Sequence, residues 1–192
     1  MNILLLGPQG SGKGTQAKRI AEDFGLARIA SGEMLRDAIA AETPFGLEVK
    51  PIVERGELVP DELMIGLIRE RLDDEDTLEG FILDGFPRTM AQAEALDAML
   101  AEIGRELDIV FELQVDDDVA VERLAKRADE EGRTDDTPDA IARRLAEYHE
   151  KTEPLVGYYR LRGNLVGIHG DNPIDRVFAE IQEALQTVAA RS

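Results

Sequence analysis

Short apolar runs alternate along the chain with longer stretches in which apolar residues recur every three or four positions. The runs at 2–6, 27–30, 80–83, 109–115 and 164–169 predict strands, and the stretches at 12–24, 32–42, 44–54, 61–72, 90–103, 117–128, 138–160 and 173–190 predict helices. Ile3-Leu4-Leu5-Leu6 and Phe81-Ile82-Leu83 are apolar at every position, as strands buried on both faces must be. The alternation predicts an α/β fold: a five-stranded parallel sheet in the middle of three layers, with helices on both faces. Thr137-Pro138-Asp139 starts a helix with a capping hydroxyl, a proline at the first helical position and an acid at the positive end, and Asn172-Pro173 repeats the device. No linker, repeat or change of composition divides the chain, so 1–192 reads as a single domain. Two segments depart from a minimal sheet. Three helices fall between the second and third strands, where one crossover helix suffices. The run from Glu130 to Asp136 is polar throughout and reads as a mobile flap. Such excursions are where function concentrates.

Composition narrows the chemistry. The chain has 192 residues, 22 Lys and Arg against 40 Asp and Glu, and a formal charge of −18. That charge argues against non-specific binding to nucleic acid or to anionic lipid, and an aromatic content of 5% offers few stacking platforms for bases. The absence of cysteine removes disulfides, thiolate zinc sites and cysteine nucleophiles together. No apolar run is long enough to span a bilayer, and the first residues lead straight into a strand without a basic leader, so a cytoplasmic protein is expected. An anionic ligand then requires a local basic pocket to overcome the global field.

The pattern Gly7-Pro8-Gln9-Gly10-Ser11-Gly12-Lys13-Gly14-Thr15 follows the first strand and opens the first helix, the spacing and context of a phosphate-binding loop. Its glycines let successive backbone N–H groups point inward as an anion nest, the helix end adds partial positive charge, and Lys13 adds a full one. With this loop the fold class becomes P-loop nucleoside triphosphate hydrolase-like. Gly14 stands where the general motif has a hydroxyl, which comes one place later at Thr15.

Further along the chain come Ser31-Gly32-Glu33-Met34-Leu35-Arg36 after the second strand and Asp84-Gly85-Phe86-Pro87-Arg88-Thr89 after the third. Arg123, Arg127, Arg133-Thr134-Asp135-Asp136 and Arg144 complete a series whose order and spacing resemble the adenylate kinases over nearly the whole chain. The resemblance implies reversible phosphoryl transfer from Mg·ATP to AMP, giving two ADP. It also implies a core (1–30, 60–125 and 138–192), an AMP-binding segment (31–59) and a short lid (126–137). The long zinc-binding lid of some bacterial relatives is excluded by the missing cysteines. A monomer with small-molecule partners ATP, AMP and ADP is expected, with no nucleic acid and no membrane.

On that resemblance, Gly10, Ser11, Gly12, Lys13, Gly14, Thr15, Arg123, Arg133 and Gly170 hold ATP. Ser31, Gly32, Arg36, Glu57, Leu58, Val59, Gly85, Arg88, Gln92, Arg133 and Arg144 hold AMP. Lys13, Arg88, Arg123, Arg133 and Arg144 carry the transferring phosphoryl group. Phosphoryl transfer needs positioning and charge neutralisation, which the permanently charged arginine fork supplies. Asp84 reaches Mg²⁺ or its water shell, with Glu33, which stands where the family commonly has Asp, as a second acid acting through water; no zinc site is expected. The Asp135-Asp136 pair ties the closed lid.

Gln92 has two readings. The resemblance makes it the reader of adenine, since a side-chain amide both donates and accepts. From the residues alone, Thr89-Met90-Ala91-Gln92 is a capping box for the following helix. Arg127, Arg143, Arg160 and Arg162 are read as exposed helix charges or left without a role, and His149 and His169 as surface or core groups. Two rivals stay open: a UMP/CMP kinase of the same fold, against which Thr89 with Gln92 stands, and a non-catalytic P-loop nucleotide-binding module.

Overall fold

In the computed structural model, residues 1–131 and 137–189 are described. Strands β1 (Asn2–Leu6), β2 (Ala27–Ala30), β3 (Phe81–Asp84), β4 (Ile109–Gln114) and β5 (Leu165–His169) form one parallel sheet in the order β2-β3-β1-β4-β5. The register pairs Leu5 with Asp84 across β1 and β3 and Ala30 with Asp84 across β2 and β3, so these three strands end level. The chain leaves β1 toward one edge of the sheet and leaves β3 toward the other, which opens a crevice at the carboxyl ends of the strands.

Side-chain alternation explains the all-apolar strands. Leu4, Leu6, Phe81, Leu83 and Val110 enter the core on one face; Ile3, Leu5, Ile82, Ile109, Phe111 and Leu113 enter the core on the other. Helices α1 (Lys13–Phe24) and α9 (Ile174–Ala189) cover the second face, with Ala17, Ile20, Val177 and Ile181 buried against it. The first face is covered by α2 (Ser31–Ala40), α3 (Pro44–Glu54), α4 (Asp61–Leu72) and α5 (Met90–Glu102). The three helices expected between the second and third strands are α2, α3 and α4.

Helix starts follow local chemistry. The Thr43 hydroxyl accepts from the Gly46 N–H and the Thr137 hydroxyl from the Ala140 N–H, each with proline at the first turn. The helix expected over 138–160 is instead three pieces: α7 (Pro138–Glu147), a π turn at Tyr148–Thr152, and α8 (Pro154–Arg162). Pro154 is the reason, since it lacks the N–H that a continuous helix needs and its ring clashes with the preceding turn. Helix α6 (Asp117–Glu131) outlasts its expected end at 128, so residues 126–131 of the segment read as a lid are helical here. Among the described residues, no helix is long and apolar enough to cross a membrane.

Candidate active site

The crevice is a cleft of about 880 Å³ lined from the ends of β1, β2 and β3 and from α2, α6 and α7. At its floor is the loop between β1 and α1. Gly12 takes the N-cap position of α1 at φ 94°, a left-handed conformation that glycine adopts without strain, and no side chain caps this helix. The first N–H groups of α1 therefore remain open to an anion, at the positive end of the helix. Gly10, Ser11, Gly12, Lys13, Gly14 and Thr15 all line the cleft. The Lys13 ammonium folds back over the loop, donating to the Gly7 and Pro8 carbonyls at 2.7 Å each and to Ser11 Oγ at 3.4 Å. Burial lowers its pKa to about 8; Asp84 opposes this shift, while Arg88 and Arg127 add to it.

The wall beyond β2 and β3 holds the second group of cations. Ser31, Gly32, Arg36, Gly85 and Arg88 line it, with Glu57, Leu58 and Val59 arriving from the chain after α3. Gly85 turns the chain sharply after β3 at φ 86°, and a Cβ there would sit 2.6 Å from Ser31 Oγ. Arg88 is held by its own turn, Nε donating to the Gly85 carbonyl at 2.7 Å. Burial pulls its guanidinium pKa down, and Arg144 and Arg36 push the same way against Asp84. Arg144, only 9% exposed, reaches in from α7 with Nη2 at 3.5 Å from the Val53 carbonyl. On the opposite wall Arg123 donates to the Gly170 carbonyl at 3.0 Å, tying α6 to the turn after β5.

Every expected site residue within the described chain thus borders the one cleft. Arg133, with Asp135 and Asp136, lies outside the described residues. Arg127, read as an exposed charge or left without a role, lines the cleft; helical spacing from Arg123 puts both on one face of α6. Arg143 meets Glu57 at 2.7 Å, Arg162 meets Asp97 at 2.7 Å, and Arg160 lies 3.9 Å from Glu112. His149 bridges Glu153 at 2.8 Å and Asp117 at 3.0 Å, and His169 meets Glu180 at 2.9 Å.

One cleft residue, Arg28, and one partner of a cleft residue, Asp61, escaped the sequence reading. Arg28 forks both carboxylate oxygens of Glu33 at 2.7 and 2.8 Å and lies 3.9 Å from Asp84 Oδ2. An arginine inside an apolar strand was its only signal. Asp61 accepts from the Thr89 hydroxyl at 2.9 Å and from Gln92 Nε2 at 2.8 Å. It looked like an ordinary acid in a first helical turn.

Gln92 itself is 2% exposed and lines the cleft. The capping interaction forms with one change: the Thr89 hydroxyl accepts from the Gln92 N–H at 3.2 Å, while Gln92 Oε1 accepts from the N–H of Arg88 at 2.8 Å, one residue before the cap.

For a divalent cation, the cleft offers Asp84, whose Oδ2 faces Gly14 in the phosphate loop. Among the described residues, no group of three or more His, Cys, Asp or Glu forms a cage. A single carboxylate beside a phosphate site suits Mg²⁺, which keeps most of its waters and takes its remaining ligands from phosphates. Glu33 is engaged with Arg28.

Among the described residues, nine basic residues line the cleft (Lys13, Lys18, Arg28, Arg36, Arg88, Arg123, Lys126, Arg127 and Arg144), against five acids (Glu33, Glu57, Asp84, Glu130 and Asp171). The local sign is the reverse of the global one, which is what a polyphosphate ligand requires. Sheet order, phosphate loop and convergent cations define an α/β protein of the P-loop kinase-like class. Residues 5–164 match the family model described as Adenylate kinase. The chain is 47% identical over 190 residues to the adenylate kinase of Caulobacter vibrioides, covering 99% of this chain and 100% of that one. It is 49% identical over 199 residues to that of Methylobacterium nodulans (99% and 100%), and 46% identical over 185 residues to that of Xanthomonas campestris pv. campestris (96% and 99%). The chain belongs to the adenylate kinase family. Its 192 residues without cysteine are consistent with the short-lid form.

Proposed function

We infer that the protein is an ATP:AMP phosphotransferase, converting Mg·ATP and AMP reversibly into two ADP. The observation that carries this reading is a pair of cationic groups flanking the phosphate loop and its Lys13: Arg123 and Arg127 of α6 toward the β5 end of the sheet, and Arg36, Arg88 and Arg144 toward β2 and β3. A binding module for one triphosphate has no use for the second group. Two nucleotides entering from opposite sides need both, because the transferring group passes between their phosphates and its charge must be held throughout.

In this reading the backbone of Gly10 through Thr15 cradles the ATP phosphates and Lys13 turns from the loop carbonyls toward them. Arg123, beside Gly170, and Arg133 close over the same nucleotide. Arg36 and Arg88 grip the AMP phosphate. Ser31, Gly32, Glu57, Leu58, Val59 and Gly85 shape its pocket, and Gln92 reads its base. Arg144 follows the phosphoryl group in flight from the AMP side, with Arg133 as its partner. Asp84 orients waters of the bound Mg²⁺, with Glu33 in support. Mg²⁺ supplies charge neutralisation at the ATP phosphates. Segment 31–59 acts as the AMP-binding part and 126–137 as the lid, excluding water so that transfer outcompetes hydrolysis. In this reading the protein is a monomer acting on small molecules, and a cytoplasmic setting suits those substrates.

The test is ADP formation from Mg·ATP with AMP, CMP, UMP and GMP offered separately and water as blank. Strong turnover with AMP alone is expected. Preference for CMP or UMP would overturn the base assignment in favour of a UMP/CMP kinase. No transfer to any monophosphate despite tight ATP binding would overturn the kinase reading and favour the binding module.

A further inference from the structure

Gln92 carries an amide whose two ends differ in hydrogen-bonding sense, and its two neighbours differ in the same way. The Arg88 backbone N–H only donates, so it must face Oε1, and does so at 2.8 Å. The Asp61 carboxylate only accepts, so it must face Nε2, and does so at 2.8 Å. The Thr89 hydroxyl also donates to Asp61 Oδ1, at 2.9 Å, while accepting from the Gln92 backbone N–H. The circuit has one consistent set of proton positions. Turning the amide over would set oxygen against carboxylate and N–H against N–H, two mismatches at a buried group.

After these contacts Nε2 keeps one hydrogen and Oε1 one lone pair, both on a side chain that borders the cleft. Adenine offers a donor at N6 and an acceptor at N1, the complement of an amide in this sense. A 6-oxopurine offers an acceptor at O6 and a donor at N1, the complement of the same amide turned over.

We propose that Asp61 is a specificity-determining positioning residue: by accepting from Gln92 Nε2 it locks the amide in the sense that pairs with 6-aminopurine nucleotides and rejects 6-oxopurine monophosphates. The proposal rests on the reading of Gln92 as the base reader. It assigns Asp61 no contact with substrate.

The experiment compares AMP with IMP, which reverses the hydrogen-bonding sense at both positions, as phosphoryl acceptors for the unaltered chain, D61N and Q92L. An amide in place of the Asp61 carboxylate presents either sense, so a turned Gln92 then meets one mismatch rather than two. The AMP-over-IMP ratio in kcat/KM falls by about tenfold in D61N, the scale of one buried mismatched hydrogen bond, and collapses in Q92L. A collapse in Q92L with an unchanged ratio in D61N overturns the role of Asp61 and leaves the base reader standing. A ratio retained in Q92L overturns the base reader and the proposal with it. If either variant fails to fold by circular dichroism, the unaltered chain decides by NMR. A nuclear Overhauser contact from a Gln92 Nε2 hydrogen to the Asp61 β-methylene that persists with AMP bound supports the lock, and its loss on AMP binding overturns it.

Discussion

At the scale of single residues, the cleft works by holding charges where water would otherwise solvate them, and Lys13 shows what that entails. Its ammonium is lowered to about 8, mainly by burial. On the proposed reading, the free enzyme needs the charged form to receive a triphosphate, so kcat/KM for ATP is expected to fall as pH rises through about 8. A pH profile that stays flat to pH 10 contradicts that role. Stability moves the opposite way. Between about 8 and the ordinary lysine value of 10.5 the unfolded chain binds more protons at this site than the folded one, so this group's contribution to ΔG of unfolding increases with pH across that window. Activity and stability diverging on the alkaline side is thus a specific signature of a charge held at a functional site. Gln92 makes a related point: its hydrogen-bonding sense is set by Arg88 and Asp61 rather than by its own chemistry.

At the scale of elements, the helices that carry cleft arginines are anchored by contacts outside the cleft. Asp117, the first residue of α6, and Glu153, beyond the π turn, share His149 between them. Hydrogen bonds to Glu153 and then to Asp117 raise the His149 pKa above its ordinary value of 6.5. A group raised on folding contributes its full stabilisation below the unfolded pKa and loses it as pH climbs through the folded one. H149Q should therefore lower Tm more at pH 6 than at pH 9, by a modest amount because the site is exposed; a loss independent of pH refutes the tie. The π turn has a contact of its own, Thr152 donating to the Arg88 carbonyl at 2.8 Å. The break in the helix expected over 138–160 thereby places a hydroxyl beside the segment that bears Arg88.

At the scale of the molecule, two cores on either side of one sheet fix the strand ends from which the cleft residues project. Leu83 is fully buried, pairs in register with Leu4 and Ile29, and precedes Asp84. L83A is expected to destabilise the fold by about 2–5 kcal/mol through lost burial and the cavity left behind, read as a lower urea midpoint with an unchanged m-value. A change under about 1 kcal/mol at so buried a leucine would mean that the sheet repacks around the gap. The charge of −18 acts on the whole fold as self-repulsion. Salt screens repulsion between exposed charges more than it weakens the buried cores, so Tm should rise from about 0.01 to 0.3 M salt; a fall would show that surface ion pairs outweigh repulsion.

The apolar runs, being local in period, determined the five strands. Backbone geometry at Gly12 and the hydroxyls of Thr89 and Thr137 determined where helices begin, because a cap is satisfied within three residues. Arg36, Arg88, Arg123 and Arg144 were legible as residue types in a familiar order. Tertiary structure decided the rest. Strand order depends on which faces pack together, and no local period encodes it. Arg28 meets Asp84 across 56 positions of sequence and Asp61 meets Gln92 across 31, pairs that become neighbours only when the sheet and helices close around them. Arg127 was indistinguishable from a solvated helix charge until α6 was set against the phosphate loop. Residue type and local spacing suffice to show which chemistry this chain carries. Only the folded structure decided how each group is oriented, since orientation is fixed by partners distant in sequence.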